Sequence, residues 1–289
     1  MNPIPKSELV LNNDGSVYHL SLHPENIAKT IILVGDPSRV SMVSKYFDNI
    51  EFSQSNREFI THTGTIGRKR ISVISTGIGV DNIDIVLNEL DALVNIDLKK
   101  RTIKENLTSL NFIRIGTSGS LQSNIDVDTF LLTKYALGLD GLLHFYDFNN
   151  KNLVALQENF INQLNWNENF AKPYFVESDC ELYDLLNSDL VYTGITATAP
   201  GFYAPQGREL RIPIFDNQLQ DKLASFSFSK YKISNFEMET SAIFGLSKLM
   251  KHKSATICAV IANRAVKRYS KDHSITIKEL IKYVLEKIS

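Results

Sequence analysis

The sequence predicts an α/β protein built as one domain. Short apolar runs rich in β-branched residues recur along the chain, and several are apolar almost throughout, as strands buried on both faces of a sheet are. Segments with helical spacing of apolar residues lie between some of these runs. The 289 residues are 43% hydrophobic, enough for a sizeable core, and no internal repeat or Pro/Ser-rich linker divides them, so we prefer one domain over residues 1–289 to two.

Each predicted strand is an apolar run that ends in a polar or Gly-rich turn. In chain order these runs are Thr30 to Val34, Ile71 to Ser75, Asn111 to Ile115, Thr129 to Thr133, Val191 to Thr196 and Ser254 to Ala262. Three helices are predicted, over residues 81–94, 240–250 and 276–288. In the first of them Ile83, Val86, Leu87 and Leu90 share one face, and Asp81 is placed to cap its start.

Two segments depart from this alternation and are treated as insertions, near residues 97–110 and 146–177. The first, Lys99 to Leu110, is charged, and we expect a solvated extension of the preceding helix. The second, Tyr146 to Glu177, is polar and aromatic and contains the only tryptophan, Trp166. An active-site cover, a subunit contact and surface decoration all remain open for it.

Charge and composition exclude several classes of function. The chain has 31 basic and 32 acidic residues, so no overall positive field favours nucleic acid and no polybasic run favours a membrane. The first residues lack the pattern of a signal peptide and no apolar stretch is long enough to span a bilayer, so we expect a cytoplasmic enzyme acting on small molecules. Cys180 and Cys258 are far apart, which predicts buried thiols rather than a disulfide or a zinc site.

Three glycine-containing motifs follow predicted strands. GDPSR (35–39) and RIGTSG (114–119) each combine glycine with an arginine, and backbone N–H groups with a guanidinium suit phosphate or carboxylate. Ordinary structural turns are the alternative for both. The third motif, STGIG (75–79), has the first two glycines of a dinucleotide fingerprint, but Asn82 replaces the third, so a Rossmann NAD site is disfavoured.

Two later motifs suit a nucleoside. The loop at 196–208 offers Phe202 and Tyr203 for stacking, and Gln206 and Arg208 carry donors and acceptors for the mixed edge of a nucleobase. The segment EME (237–239) enters a helix, where one carboxylate can accept hydrogen bonds from a ribose diol. Plain packing for the aromatic residues and a favourable helix dipole for the acids are the alternatives.

In their joint order, GDPSR, STGIG, RIGTSG and EME resemble the nucleoside phosphorylase family, and within it the uridine phosphorylase branch. The resemblance implies a single-domain three-layer α/β/α sandwich with a mixed, partly barrel-like central sheet. It also implies a pentosyltransferase that converts uridine and inorganic phosphate to uracil and ribose 1-phosphate. The expected assembly is a homodimer or homohexamer whose sites are shared across the dimer interface.

The resemblance also implies roles for individual residues, with Arg114, Glu239 and Arg208 as the catalytic set. The implied phosphate-binding residues are Gly35, Arg39, Arg57, Arg114 and Thr117, the ribose-binding residues are His19, Met238 and Glu239, and the base-binding residues are Phe202, Gln206 and Arg208. Arg57 and His19 would come from the neighbouring subunit. No cofactor is expected. A structural potassium ion at Glu58, Ile78 and Asn82 stays open, since asparagine replaces a serine found in relatives.

The residue after the last predicted strand bears on the choice of base. Purine members of the family have an aspartate there that protonates the leaving base, whereas this chain has Asn263 followed by Arg264. Uracil can leave as an anion stabilised by Gln206 and Arg208, so we expect a pyrimidine substrate. A purine nucleoside phosphorylase and a hydrolytic nucleosidase of the same fold are the alternatives.

Overall fold

The computed structural model describes residues 2–289 and has the predicted α/β class. Its strands are β1 (Thr30–Val34), β2 (Asn49–Asn56), β3 (Phe59–Ile66), β4 (Lys69–Ser75), β5 (Ile96–Asp97), β6 (Thr102–Ile103), β7 (Asn111–Ser120), β8 (Phe130–Gly138), β9 (Tyr174–Glu177), β10 (Val191–Thr198), β11 (Ser227–Phe228), β12 (Tyr231–Glu237), β13 (Lys253–Asn263) and β14 (Arg268–Tyr269). Its helices are α1 (Ser38–Ser44), α2 (Val80–Asn95), α3 (Val154–Leu164), α4 (Cys180–Leu186), α5 (Leu219–Ser225), α6 (Thr240–Leu249) and α7 (His273–Ile288). All six predicted strands and all three predicted helices are present, and several strands extend beyond their predicted ends.

Five strands close on themselves into a small mixed barrel. β12 pairs with β10, β10 with β8, β8 with β13, β13 with β7, and β7 pairs back with β12. The closing pair is antiparallel and sets Phe236 opposite Gly119. This closure brings the EME segment beside RIGTSG, although the two lie far apart in the sequence.

The sheet continues from β7 through β1, β4 and β3 to β2. β7, β1 and β4 are parallel, so their carboxyl ends meet at one edge of the sheet. β1 shows why the run TIILV is apolar throughout. Ile31 and Leu33 pack with α2 and α6, whereas Ile32 and Val34 pack with α1, α4 and α7 on the opposite face. Helices therefore cover both faces, as the three-layer prediction requires.

The segment Lys99 to Leu110 is not a helix extension, so that prediction was wrong. The chain leaves α2 into the short antiparallel pair β5 and β6, with Ile96 opposite Ile103. The turn back is fixed by Asn95, whose side-chain oxygen accepts from the Thr108 N–H at 2.7 Å while its amide donates to the Thr108 carbonyl at 3.2 Å. These hydrogen bonds hold the chain after β6 against the end of α2, so the helix does not continue.

Two boundary predictions were also wrong. The residue that caps α2 is Gly79, at φ 98°, and Asp81 lies exposed in the first turn, where the helix dipole favours an acid without a capping bond. RIGTSG is not a loop after a strand, because β7 runs on to Ser120. The pairing of Thr117 and Ser118 with β13, and of Gly119 with β12, keeps this segment extended.

The segment Tyr146 to Glu177 is more than surface decoration. It contributes α3, and it contributes β9, which pairs with β8. Phe160 of α3 is fully buried, with its ring 5.7 Å from that of Phe175 and 5.2 Å from that of Phe226. Among residues 2–289, no helix combines the length and apolar character needed to cross a membrane.

Candidate active site

A cavity of about 750 Å³ lies where the predicted motifs meet. Nine of the eleven predicted site residues line it, namely Gly35, Arg39, Arg114, Thr117, Phe202, Gln206, Arg208, Met238 and Glu239. Parallel strands account for part of this convergence, since GDPSR follows β1 and STGIG follows β4 at the same sheet edge. Barrel closure accounts for the rest, because it places β12 and the residues after it next to β7.

Two guanidinium groups line the cavity. Arg39 is in the first turn of α1, after Gly35, and Arg114 is on β7. Burial, and then the nearby positive charge of Arg114, lower the pKa of Arg39. Two cations held close together in a partly buried position favour a bound anion. Thr117, half-buried on the same strand as Arg114, adds a hydroxyl.

Arg114 is 5% exposed and is held by acidic side chains. It donates to Oε2 of Glu239, and Oε2 of Glu237 lies 3.5 Å from the same guanidinium nitrogen. Its other terminal nitrogen is 3.4 Å from Sγ of Cys258. Burial alone would lower the pKa of Arg114, but Glu239 and then Glu237 outweigh it and raise the pKa above its usual range. The arginine is therefore charged whenever the protein is folded.

The two acids of EME have different surroundings. Glu237, at the end of β12, accepts from the backbone N–H groups of Glu239 and Thr240 at 2.9 Å each and from Oγ1 of Thr198 at 2.6 Å. Burial, despite the opposing charge of Arg114, raises the pKa of Glu237. Glu239 instead lines the cavity, and its Oε1 accepts from the Gly79 N–H at 2.8 Å. Glu237 thus supports the start of α6, and Glu239 faces the cavity.

Elsewhere in the cavity lining, Phe202, Gln206 and Arg208 form one packed unit. The guanidinium carbon of Arg208 lies 3.9 Å from the centre of the Phe202 ring, and one of its nitrogens donates to Oε1 of Gln206 at 2.6 Å. Burial, and then the charge of Arg264, lower the pKa of Arg208 to about 10. Gln206 is buried, whereas Phe202 is 51% exposed at the mouth of the cavity.

Sequence reasoning missed the roles of two further residues, one that supports this unit and one that lines the cavity. Arg264, directly after β13, donates to the Gln206 carbonyl at 3.1 Å and so fixes the base loop. Tyr269 of β14 lines the cavity because β14 folds back on β13, where it pairs with Ala262. The position of Arg264 after a strand was a usable signal, but no local pattern indicated the return of β14.

His19 and Arg57 do not line the cavity of their own chain, and the segments that carry them are in contact with each other. The side-chain amide of Asn56 donates to the His19 carbonyl at 2.8 Å, and the Arg57 guanidinium lies 5.6 Å from the ring centre of Tyr18. Arg57 is exposed, and it occupies the turn between β2 and β3 at φ 55°. Their expected contribution to a neighbouring subunit's site stays a prediction.

Glu58, Ile78 and Asn82 surround Gly77 at the edge of the cavity. A Cβ on Gly77 would come 3.1 Å from Cγ of Glu58, and the Asn82 amide nitrogen lies closer still. That amide donates to the Ile78 carbonyl at 3.4 Å. One chain therefore offers a cation two oxygen ligands, the Glu58 carboxylate and the Ile78 carbonyl, and the carbonyl already accepts a hydrogen bond. A potassium ion here stays a prediction.

The two cysteines have different environments. Cys258 is buried as predicted, whereas Cys180 is exposed, contrary to the prediction, because it is the first residue of the short surface helix α4. Burial, despite the nearby Arg114, raises the pKa of the Cys258 thiol to about 11.

Comparison with known proteins agrees with this geometry. Residues 29–288 match the model of the phosphorylase superfamily. The chain is 28% identical to the uridine phosphorylase of Thermococcus kodakarensis over 94% of its length and 88% of that protein, and 29% identical to the uridine phosphorylase of Haemophilus influenzae over 86% of each. It is also similar to a solved Trypanosoma brucei nucleoside phosphorylase described as showing uridine phosphorylase activity, with a TM-score of 0.87 and 28% identity over 96% of this chain and 98% of that one.

Proposed function

Because this chain belongs to the phosphorylase superfamily, we propose that it cleaves the N-glycosidic bond of uridine with inorganic phosphate. The products are uracil and ribose 1-phosphate. One observation carries the proposal most directly. The cavity is lined both by a cationic pair, Arg39 and Arg114, and by a polar unit in which Arg208 donates to Gln206. Relatives named uridine phosphorylases, at 28–29% identity, support it.

In the proposed reaction, Arg39, Arg114 and Thr117 hold phosphate below C1′ of the ribose. Met238 and Glu239 line the sugar, and Glu239 accepts from its hydroxyls. Glu239 reaches this role already fixed by the Gly79 N–H and by Arg114, so its carboxylate is oriented before the substrate binds. Orientation of this kind lowers the barrier because less freedom is lost during the reaction.

The bond from C1′ to N1 of uracil breaks as a phosphate oxygen bonds to C1′. Positive charge develops on the sugar, and the phosphate anion stabilises it electrostatically. The electron pair of the broken bond leaves on uracil and spreads over the ring carbonyls. Arg208 and Gln206 donate to that anion, and no side chain acts as a covalent nucleophile. Arg264 supports them through its bond to the Gln206 carbonyl.

Asn263 supports a pyrimidine rather than a purine. Its side-chain amide donates to the carbonyls of Gln122 at 3.0 Å and Ile125 at 2.7 Å, and its oxygen accepts from the Val266 N–H at 3.1 Å. The side chain is 1% exposed. It is therefore committed to holding the chain after β13, and it provides no acid for a leaving purine.

We further propose a homodimer or homohexamer in which His19 and Arg57 complete the site of a second copy. The support is that both residues lie outside the cavity of their own chain, on one connected patch with Asn56 and Tyr18. Arg57 would bring a third guanidinium to the phosphate, and His19 would meet the ribose 5′-hydroxyl.

The test is release of base from uridine, thymidine and inosine, each with and without phosphate. We expect uracil from uridine in the presence of phosphate and no release from inosine. Release from uridine without phosphate would identify a hydrolase, and release from inosine would identify a purine enzyme. Thymidine cleavage reports how far the pocket tolerates a 5-methyl group and a missing 2′-hydroxyl.

A further inference from the structure

Glu89 holds His19 at both its backbone and its ring. Glu89 lies on α2, and its carboxylate accepts from the backbone N–H of His19 at 2.9 Å and from that of Leu20 at 2.8 Å. The same carboxylate is 2.6 Å from Nδ1 of the His19 imidazole. The side chains of Glu89 and His19 are 15% and 29% exposed. One acid thus fixes the position of this segment and the orientation of its histidine.

This arrangement also fixes where the proton sits on the neutral imidazole. An ionised carboxylate only accepts, so the nitrogen facing it must be the one that carries hydrogen. Nδ1 is then the donor and Nε2 carries the lone pair, as happens when a carboxylate orients a histidine that binds a metal. Among residues 2–289, no side chain or backbone group bonds to Nε2, which leaves this nitrogen available to a ligand.

The neighbours of His19 add rigidity. The Tyr18 and His19 rings form a T-shaped pair with centroids 4.8 Å apart, and the Arg57 guanidinium lies over the Tyr18 ring. Asn56, next to Arg57, donates to the His19 carbonyl. The two residues proposed to complete a second copy's site are therefore held as one unit in a single chain.

We propose that Glu89 is a positioning residue that presents Nε2 of His19 as a hydrogen-bond acceptor to the 5′-hydroxyl of the nucleoside bound to a second copy. This inference rests on the proposed function. It deepens that function by defining the substrate class: the 5′ group must be a donor. Uridine meets this requirement, whereas uridine 5′-phosphate has no donor at that position and brings negative charge toward Glu89.

The proton position can be measured without any assay of activity. In protein labelled with ¹⁵N at histidine, the His19 resonances of the neutral form should show a protonated Nδ1 and an unprotonated Nε2. In Glu89→Gln, the side-chain oxygen should still accept from the two backbone N–H groups, which leaves the NH₂ group facing Nδ1. Because an NH₂ group donates, Nδ1 should then carry the lone pair and the proton should move to Nε2. A wild-type His19 protonated at Nε2 would overturn the proposal, whatever reaction the protein catalyses.

The kinetic test compares uridine with 5′-deoxyuridine, which lacks the hydroxyl. Glu89→Gln should lower kcat/KM for uridine by up to about tenfold, mainly through KM, since a neutral hydrogen bond contributes about this much. For 5′-deoxyuridine the change should stay within about twofold. In a His19→Ala background, Glu89→Gln should have no further effect on uridine. The control is Glu286→Gln, the same exchange at an exposed position of α7, which should match wild type.

Failure of the inference about Glu89 and failure of the proposed phosphorolysis give different results. Equal losses for both substrates, or a loss that persists in the His19→Ala background, would make Glu89 merely structural and overturn the inference. An unchanged kcat/KM for uridine in His19→Ala would overturn it as well. Failure of the proposed function looks different, because the wild-type protein would then release no uracil from uridine and phosphate.

Discussion

The guanidinium of Arg114 lies directly against Gly116, two residues further along the same strand. A Cβ on Gly116 would overlap the nearest guanidinium nitrogen and come 2.7 Å from the guanidinium carbon and 2.9 Å from Sγ of Cys258. A glycine is therefore required at position 116 of RIGTSG, because no larger residue fits there. It leaves space for the buried Arg114 side chain to lie along its own strand and line the cavity.

Gly116→Ala should displace the Arg114 guanidinium and weaken phosphate use. We expect the apparent KM for phosphate to rise about ten- to a hundredfold, the range for loss of hydrogen bonds from a charged group. Gly119→Ala is the comparison, because the nearest atom to its Cβ is at 3.6 Å, an ordinary contact, and its effect should be smaller. Melting temperatures show whether each variant folds. An unchanged KM for phosphate in folded Gly116→Ala would contradict the role of Arg114.

Arg57→Gly separates function from local stability. Arg57 has a φ of 55°, a region that glycine adopts at no steric cost and that other residues enter less easily. The variant should keep or raise the melting temperature while its KM for phosphate rises about tenfold. Arg57→Ala should raise the KM for phosphate in the same way, but alanine does not relieve the backbone strain at this φ, so its melting temperature should not rise. Wild-type phosphate kinetics in Arg57→Gly would remove Arg57 from the site.

A mixture of two defective variants tests whether the site is shared. Arg57→Ala and Arg114→Ala each damage every site of their own assemblies. In a dimer that contains one chain of each, one site has both defects and the other has neither. After subunit exchange at equal concentrations, roughly a quarter of all sites should be intact in an isologous dimer. Activity no higher than that of the separate variants, with exchange confirmed by mass spectrometry, would place Arg57 outside a shared site.

The two thiols should differ in reactivity and in their effect on stability. In the native protein at pH 8, a thiol reagent should label exposed Cys180 and leave Cys258 unlabelled, because a pKa of about 11 leaves little thiolate. Below pH 9.0, the ordinary thiol value, Cys258 is neutral in both folded and unfolded chains. As the pH rises from there through 11, the unfolded chain ionises first, so stability is lost, by up to about 3 kcal/mol.

The measurement is urea unfolding at pH 8 and pH 10 of the wild type and of Cys258→Ala. The variant should lose less stability between the two pH values than the wild type does. An equal loss in both proteins would mean that Cys258 does not carry the shift. Labelling of both thiols in the native state would contradict its burial.

Local patterns were sufficient to predict six strands and three helices, but not β12, which closes the barrel and carries the buried Ile233 and Phe236. The run TIILV is apolar throughout because its two sets of side chains meet helices on opposite faces, and that doubly buried environment leaves a direct trace in the sequence. Nine of the predicted site residues meet in one cavity because their motifs follow parallel strands or join the closing strand of the barrel.

Structural features that depend on contacts between distant parts of the chain could not be predicted from local patterns. β7 continues through RIGTSG only because β13 and β12 pair with it, and no nearby residue records that. The β5 and β6 turn depends on Asn95 reaching Thr108. Tyr269 reaches the cavity through the return of β14, and the contact of Glu239 with Gly79 joins motifs separated by most of the chain.

The most direct test of the account is the stoichiometry of phosphate and uracil during uridine cleavage. Inorganic phosphate and ribose 1-phosphate can be followed together by ³¹P NMR while uracil is measured by its absorbance. We expect one phosphate to be consumed and one ribose 1-phosphate to be formed for each uracil released. Uracil release with phosphate unchanged and free ribose as the sugar product would contradict it.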